Sequence, residues 1–305
     1  MSPPETFSAA CTPTASDALR ERAPAKVNLT LRVLGRRVDG YHELVSLVAF
    51  AGMGDRLELL PGENLALTVS GPNAAEAGAG DENLVLRAAR HLAERRPGLR
   101  VGRFHLVKHL PVAAGLGGGS SDAAAALRLL ARANGMRLDD PVLHAAAEAT
   151  GSDVPVCLAG RSSLMSGRGE RVERVDLPRF GLLLVNPRLP VPTGPVFAGL
   201  ALEPGDVLPG PDHPAPTRLP RERGELVRAL AVLPNDLEPP ARRLVGQLGA
   251  VAESIAATPR NRLTRMSGSG GTFFGLYDNC REAVAAAKIV AARHPGWWVK
   301  PTVLG

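Results

Sequence analysis

The segment Pro111–Leu127 reads PVAAGLGGGSSDAAAAL. Gly115, Gly117, Gly118 and Gly119 fall within five positions, and Ser120, Ser121 and Asp122 lead into an alanine-rich apolar run. Glycine reaches backbone angles closed to other residues, so successive N–H groups of such a loop can turn into one concavity. Ser120 and Ser121 are favoured helix caps. The run after them predicts a helix over Ser120–Asn134, with Ala123, Ala126, Leu127 and Leu130 as its apolar stripe and Asn134-Gly135 as its stop. A capped helix start presents free N–H groups and the positive end of the helix dipole. The segment therefore predicts an anion cradle suited to phosphate. A flexible glycine linker would need no abrupt helix start.

Outward from this loop, Leu99–Lys108 reads as a strand feeding it and Glu82–Arg96 as an amphipathic helix before that strand. Asp55–Leu60 and Asn64–Ser70 read as strands separated by Pro61-Gly62. Ala25–Val33 alternates cleanly: Val27, Leu29, Leu31 and Val33 share one face, and Lys26, Asn28, Thr30 and Arg32 share the other. That pattern predicts a half-buried strand. Lys26 is one of four lysines in an arginine-rich chain, and a lysine ammonium is a compact charge that can sit close to a reacting oxygen. Asp39-Gly40 signals a turn, with Tyr41 and His42 directly after it. That pair fits the stacking and hydrogen bonding of a ring, and fits equally a core aromatic beside an exposed neighbour.

Downstream, Asp140–Ala149 reads as a second helix with Pro141 at a favoured early position. In Thr150–Val156, TGSDVPV, Asp153 sits in a turn closed by Pro155, as a cap or turn former or as a positioned general base. Ser162–Ser166 and Gly181–Val185 read as strands, while Glu203–Pro220, with six prolines, reads as a mobile loop. Helices are expected over Gly224–Leu233, Glu238–Ala257 and Cys280–Arg293, and a last strand over Trp298–Leu304. Met266–Gly275, MSGSGGTFFG, is a second glycine-rich turn. The mixture is α+β, without regular βαβ alternation.

The 305 residues carry a net charge of +6, with 45% hydrophobic and only 4% aromatic residues, so an aliphatic, alanine-rich core is expected. No basic run is interleaved with aromatics, so nucleic acid is not an expected partner. Cys11, Cys157 and Cys280 are too few and too scattered for a disulfide framework or a zinc site, and no apolar run is long enough to span a bilayer. A cytoplasmic protein is expected, with no membrane partner, as a monomer or weak homodimer and with a ragged N-terminus.

Three phosphate motifs can be tested. No Gly-Lys pair occurs, which removes the Walker loop; the glycine spacing lacks the first, third and sixth positions of a dinucleotide fingerprint; and neither His-Arg-Asp nor Asp-Phe-Gly is present. Instead, Pro111–Ser121 resembles the second signature of the GHMP small-molecule kinases, the superfamily of galactokinase, homoserine kinase and mevalonate kinase. Met266–Gly275 resembles their third. Ala25–Leu29, Gly35–Arg37 with Asp39–His42, Gly151–Pro155 and Asn235–Pro240 are similar to one branch. The acceptor of that branch is a 4-diphosphocytidyl-linked 2-C-methylerythritol of the non-mevalonate route to isoprenoid precursors. The likeness runs from about Ala23 to the C-terminus.

The resemblance implies ATP-dependent phosphorylation of the 2-hydroxyl of that acceptor. It implies a two-domain fold: an extension over 1–22, an ATP-binding N-terminal domain over 23–160, a substrate domain over 161–305, and the active site between the two domains. Asp153 would accept the hydroxyl proton, and Lys26 would hold Asp153 ionised and stabilise charge at the reacting oxygen. Asn28 would orient substrate or base. Tyr41, His42 and Phe197 would take the cytosine, with Thr193 as a neighbouring contact. Pro111, Val112, Ala113, Ala114, Gly115, Leu116, Gly117, Gly118, Gly119, Ser120 and Ser121 would cradle ATP, and Asn83, Leu84 and Lys108 would lie around its adenine. Val48 stands where some relatives carry an aromatic. Magnesium is implied with ATP; Ser120 and Ser121 are candidate hydroxyls, and no protein metal ligand is assigned. Mevalonate- or homoserine-kinase-like chemistry is the alternative.

Overall fold

The computed structural model describes residues 18–305. Cys11 and most of the expected N-terminal extension lie outside the described residues, but the last part of that extension does not: Leu19 already begins a strand. The first strands are β1 (Leu19–Asn28), β2 (Arg32–Arg36), β3 (His42–Gly62) and β4 (Ala66–Ser70). They are followed by α1 (Ala74–Ala77), α2 (Leu84–Arg95), β5 (Val101–Val107), α3 (Gly118–Ala133), α4 (Pro141–Thr150) and α5 (Val154–Ala159). The chain continues through β6 (Ser163–Gly167), β7 (Arg171–Arg174), β8 (Phe180–Asn186), α6 (Thr193–Ala198), α7 (Arg223–Ala231), α8 (Glu238–Leu244) and α9 (Leu248–Ala256). It ends with β9 (Leu263–Met266), β10 (Phe273–Tyr277), α10 (Cys280–Arg293) and β11 (Trp298–Leu304).

β3, 21 residues long, is the spine. It pairs with β2 and β6 near its start, with β1 through its middle and with β5 at its end. One position, Ala51 opposite Leu304, joins it to β11 and so to the second group of strands, ordered β11-β8-β10-β9. The expected boundary at residue 160 falls ahead of β6 and β7, which extend the first group because β6 pairs with β3. Among the described strands every pairing is antiparallel except β4 with β5.

Helices α2, α3, α4 and α5 cover the first group of strands. Ala123, Ala124, Ala125, Ala126 and Ala131 of α3 are fully buried, as their small side chains allow close approach to β1 and α2. α9 and α10 pack on the second group over Leu183, Val185, Phe273 and Tyr277. A third cluster, with Val27, Leu29, Leu110, Leu116, Leu182 and Phe274, fills the space between the groups.

The strand expected over Ala25–Val33 is two strands, and it is not half-buried. Lys26, Asn28, Thr30 and Arg32 are as buried as the apolar residues that alternate with them. Their polar face lies against other chain segments instead of solvent. The helix expected over Glu238–Ala257 breaks at Val245–Gln247 into α8 and α9. The segment Glu203–Pro220 is tied down: Asp206 O accepts the Arg36 N–H at 2.9 Å, and Leu208 N–H donates to Leu34 O at 2.8 Å. The imidazole of His213 meets Thr30 Oγ1 at 3.0 Å. Proline removes donors from this segment, yet its remaining backbone groups add an edge to β2.

Candidate active site

A buried lysine meets an aspartate from a distant segment. Lys26, near the end of β1, reaches Asp153 across the sheet–helix boundary with Nζ–Oδ2 at 2.9 Å. The Lys26 side chain is 4% exposed and that of Asp153 35%, so the ammonium is held from below while the carboxylate opens to the cleft. Asp153 occupies the N-cap position of α5 without accepting a capping hydrogen bond, so its carboxylate is not consumed as a cap. Asn28, two residues along the same strand face, accepts from Lys26 Nζ at 2.9 Å and donates to Ser46 Oγ at 2.8 Å. A buried ammonium with two oxygen partners is fixed in place, as charge stabilisation at a defined point requires.

The two glycine-rich turns dock on each other beside this pair. Ser267 Oγ donates to Gly115 O at 2.8 Å and accepts from Asn28 N–H at 3.1 Å, so one hydroxyl joins both turns and β1. A Cβ on Gly115 would lie 2.3 Å from Ser267 O. A Cβ on Gly117, whose φ is +57°, would meet Lys26 Cε at 2.8 Å. Glycine is required at both positions by close approach and by backbone angle together.

Helix α3 begins at Gly118 with Gly117 as its N-cap, two residues earlier than the serines suggest. Ser120 and Ser121 are therefore first-turn residues and not caps. The backbone of Gly118, Gly119 and Ser120 lines the cleft with the unpaired start of a sixteen-residue helix. Ala113, Ala114, Gly115 and Leu84 line it as well. Ser121 does not: its hydroxyl donates to Pro24 O at 2.7 Å and its side chain is buried.

Pro111, Val112 and Leu116 also lie off the cleft wall; Leu116 is a core residue. Asn83 is spent as the cap of α2, accepting from Val85 N–H at 3.0 Å. Lys108 lies beneath the loop, its ammonium 2.7 Å from Asp55 and 2.5 Å from Asp122. Burial works against that ammonium, but the two carboxylates hold its pKa above the ordinary lysine value. Burial pushes the Asp122 carboxyl up to about 7, against the opposing pull of Lys108. Val48 is buried in the helix-covered core, so its departure from an aromatic does not alter the cleft wall.

At the other end of the cleft lie Tyr41, His42, Thr193 and Phe197. His42 and Phe197 pack with ring centroids 4.7 Å apart and planes tilted by 37°. Partial burial, reinforced by Arg36, lowers the His42 pKa below 6.5, which favours the neutral ring. Arg168 stands over the Tyr41 ring at 4.8 Å. Thr193 Oγ1 lies 2.8 Å from Ser269 Oγ. Arg168 and Met165 are cleft residues outside every motif, and Ser152 and Ser269 are cleft residues within motifs that assign them no role. The one local signal for Arg168 was its place between Gly167 and Gly169, a tight turn.

Among the described residues no three His, Cys, Asp or Glu side chains converge as a metal cage. Magnesium keeps most of its water and binds through substrate phosphates with one or two protein oxygens. The Ser120 hydroxyl and the Asp153 carboxylate on the cleft wall fit that mode.

The cleft measures about 580 Å³ and combines a glycine-rich helix start, a lysine–aspartate pair and an end lined by Tyr41, His42 and Phe197. Residues 83–161 match the family model described as GHMP kinases N terminal domain. A homoserine kinase from Cytophaga hutchinsonii shares the fold at a TM-score of 0.68 and 17% identity, over 96% of each chain. Fold and site define a GHMP-type small-molecule kinase, a class that uses ATP as phosphate donor, typically with Mg²⁺. The chain is 58% identical to the 4-diphosphocytidyl-2-C-methyl-D-erythritol kinase of Xanthobacter autotrophicus, over 94% of this chain and 99% of the relative. It is 57% identical to that of Methylobacterium radiotolerans over the same shares. A crystal structure of 4-(cytidine 5'-diphospho)-2C-methyl-D-erythritol kinase aligns at a TM-score of 0.75 and 36% identity, covering 94% of this chain and 99% of that one. The chain belongs to the 4-diphosphocytidyl-2-C-methyl-D-erythritol kinase family.

Proposed function

We propose that this protein transfers the γ-phosphoryl group of ATP to the 2-hydroxyl of 4-diphosphocytidyl-2-C-methyl-D-erythritol, giving the 2-phosphate and ADP. The observation that carries the reading is the Lys26–Asp153 pair at 2.9 Å, set between the start of α3 and the Tyr41–His42–Phe197 end of one cleft. Asp153 accepts the proton of the acceptor hydroxyl as its oxygen bonds to the γ-phosphorus. The bond from that phosphorus to the bridging oxygen breaks, and ADP leaves with the electron pair. Lys26 stabilises the charge at the attacking oxygen, held there by Asn28. The free amides of Gly118–Ser120 receive phosphate oxygens, and magnesium, when bound with ATP, neutralises further charge on them. Such a reaction needs placement and electrostatics more than covalent help.

At the far end, the neutral His42 ring offers both a donor and an acceptor to a pyrimidine edge, with Tyr41 and Phe197 supplying ring faces. We place the reaction in the cytoplasm. An ATP-coupled assay across the cytidylyl acceptor, mevalonate and homoserine tests the reading. Turnover is expected with the cytidylyl acceptor alone. Phosphorylation of mevalonate or homoserine, without turnover of the cytidylyl compound, would overturn it.

A further inference from the structure

A second and larger cleft, of about 810 Å³, opens where β3 and β11 part from their one shared position at Ala51 and Leu304. Among the described residues no carboxylate lines it, whereas Arg22, Arg56, His109, Arg188 and Lys300 do. These groups come from separate segments. Arg22 and Arg56 lie directly opposite each other in the β1–β3 register. Two positions along the same faces, Arg20 lies opposite Glu58, and that pair closes at 2.8 Å. Like charges directly opposite destabilise a sheet, so the Arg22–Arg56 position costs stability that the neighbouring position does not.

Arg188 is held at φ 60°, a backbone angle uncommon outside glycine, by its N–H donation to Asn186 Oδ1 at 2.7 Å. Lys300 lies two residues from Trp298 on one face of β11. Trp298, Met53 and Pro72 give the cleft an apolar flank.

We propose that this cleft is a second anion site, which binds a small molecule carrying a diphosphate group. Arg22, Arg56, Arg188 and Lys300 bring four fixed positive charges to the cleft from both sides of the parted sheet, more than one phosphate calls for, and arginine pairs phosphate oxygens in a bidentate fork. The site is separate from the glycine loop: the two clefts share no lining residue.

The protein carries its own probe. Its two tryptophans are Trp297 and Trp298. Trp298 lines this cleft, Trp297 stacks on His294 at 3.7 Å, and neither lines the active cleft. Tryptophan emission is titrated with inorganic pyrophosphate, with orthophosphate and with a five-carbon alkyl diphosphate, each with the active cleft saturated by a non-hydrolysable ATP analogue. A saturable change is expected, with pyrophosphate binding at least about tenfold tighter than orthophosphate, since each added charge-assisted contact is worth roughly that factor. Tighter binding of the alkyl compound identifies an organic diphosphate as the occupant, and equal binding identifies pyrophosphate itself.

Arg56→Gln is expected to weaken binding about tenfold or more while leaving turnover unchanged. Lys300→Gln, across the cleft on β11, repeats the test independently of the β1–β3 pair. The proposal fails if no ligand gives a saturable change, if orthophosphate binds as well as pyrophosphate, or if both variants bind like the parent.

Discussion

At the scale of single residues, chemistry rests on groups whose surroundings leave them little freedom. Lys26 is anchored from below by Asn28, and Asp153 is the open partner. Asp153→Asn preserves shape but removes the carboxylate proposed to accept the hydroxyl proton. It is expected to lower kcat by roughly 10²–10⁴-fold, the usual contribution of a positioned general base, with ATP affinity nearly unchanged. Steady-state kinetics beside an ATP-binding titration checks both halves. His42 supplies a pH prediction. Its pKa lies below 6.5 through burial and the proximity of Arg36, so the ring is neutral above that value and gains a proton only in more acid solution. KM for the cytidylyl acceptor should be flat from about pH 8 to about pH 6.5 and rise below it, a limb that His42→Gln should remove. A KM that rises on the alkaline side instead would sink the assignment.

Among the elements, the glycine loop is the one whose support could not be foreseen. Its amides face the cleft, but the loop stem rests on a buried Lys108–Asp55–Asp122 group. Asp55 Oδ1 also accepts from the N–H of His109 at 2.5 Å and of Leu110 at 2.8 Å. Lys108 therefore positions the loop and does not touch the cleft. One ammonium faces two carboxylates there, and Asp122 Oδ1 has no hydrogen-bond partner among the described residues.

Burial pushes the Asp122 carboxyl up to about 7 in the folded chain from an ordinary aspartate value of 3.8, so the folded state holds the proton more strongly. The stability it contributes is complete below the unfolded value and is lost as pH rises through about 7. Asp122→Asn should therefore bring the denaturation midpoints measured at about pH 5 and about pH 8 closer together than in the parent. An unchanged gap between those midpoints would refute this account of the loop's support. The caps show the same limit of local reading. Ser120 and Ser121 have the right chemistry for an N-cap, yet Gly117 takes that place because it alone tolerates φ +57° against the Lys26 side chain.

For the whole molecule, the two groups of strands are joined at Ala51–Leu304, by the shared core around Leu29 and Phe274, and by buried polar ties. Arg32 and Asp236 form one such tie, with side chains 3% and 10% exposed. Asp236→Ala would leave the Arg32 charge buried and unpaired, at an expected cost of about 3–5 kcal/mol in chemical denaturation. A loss under about 1 kcal/mol, the value of a surface pair, would show that the tie does not hold the halves together.

The order and type of most helices and strands and the glycine-rich turn at a helix start were legible in the sequence itself, whereas the Lys26–Asp153 pairing was expected only from the resemblance of Ala25–Leu29 and Gly151–Pro155 to a known family. Periodicity, glycine spacing and turn chemistry are local properties that the chain carries wherever it folds. Other features came only from the tertiary structure. The polar face of Ala25–Val33 reads as solvated because alternation records which residues are polar and not what covers them; here Asn28, Thr30 and Arg32 meet Ser46, His213 and Asp236 from distant segments. The proline-rich segment becomes an added edge on β2 only because Asp206 and Leu208 find backbone partners there. Arg168 enters the cleft, and Arg22 meets Arg56, by strand register, which no short window contains. Sequence alone determined what chemistry was available. Long-range packing decided which groups face the cleft and which are spent holding it open, because burial and register depend on partners far away along the chain.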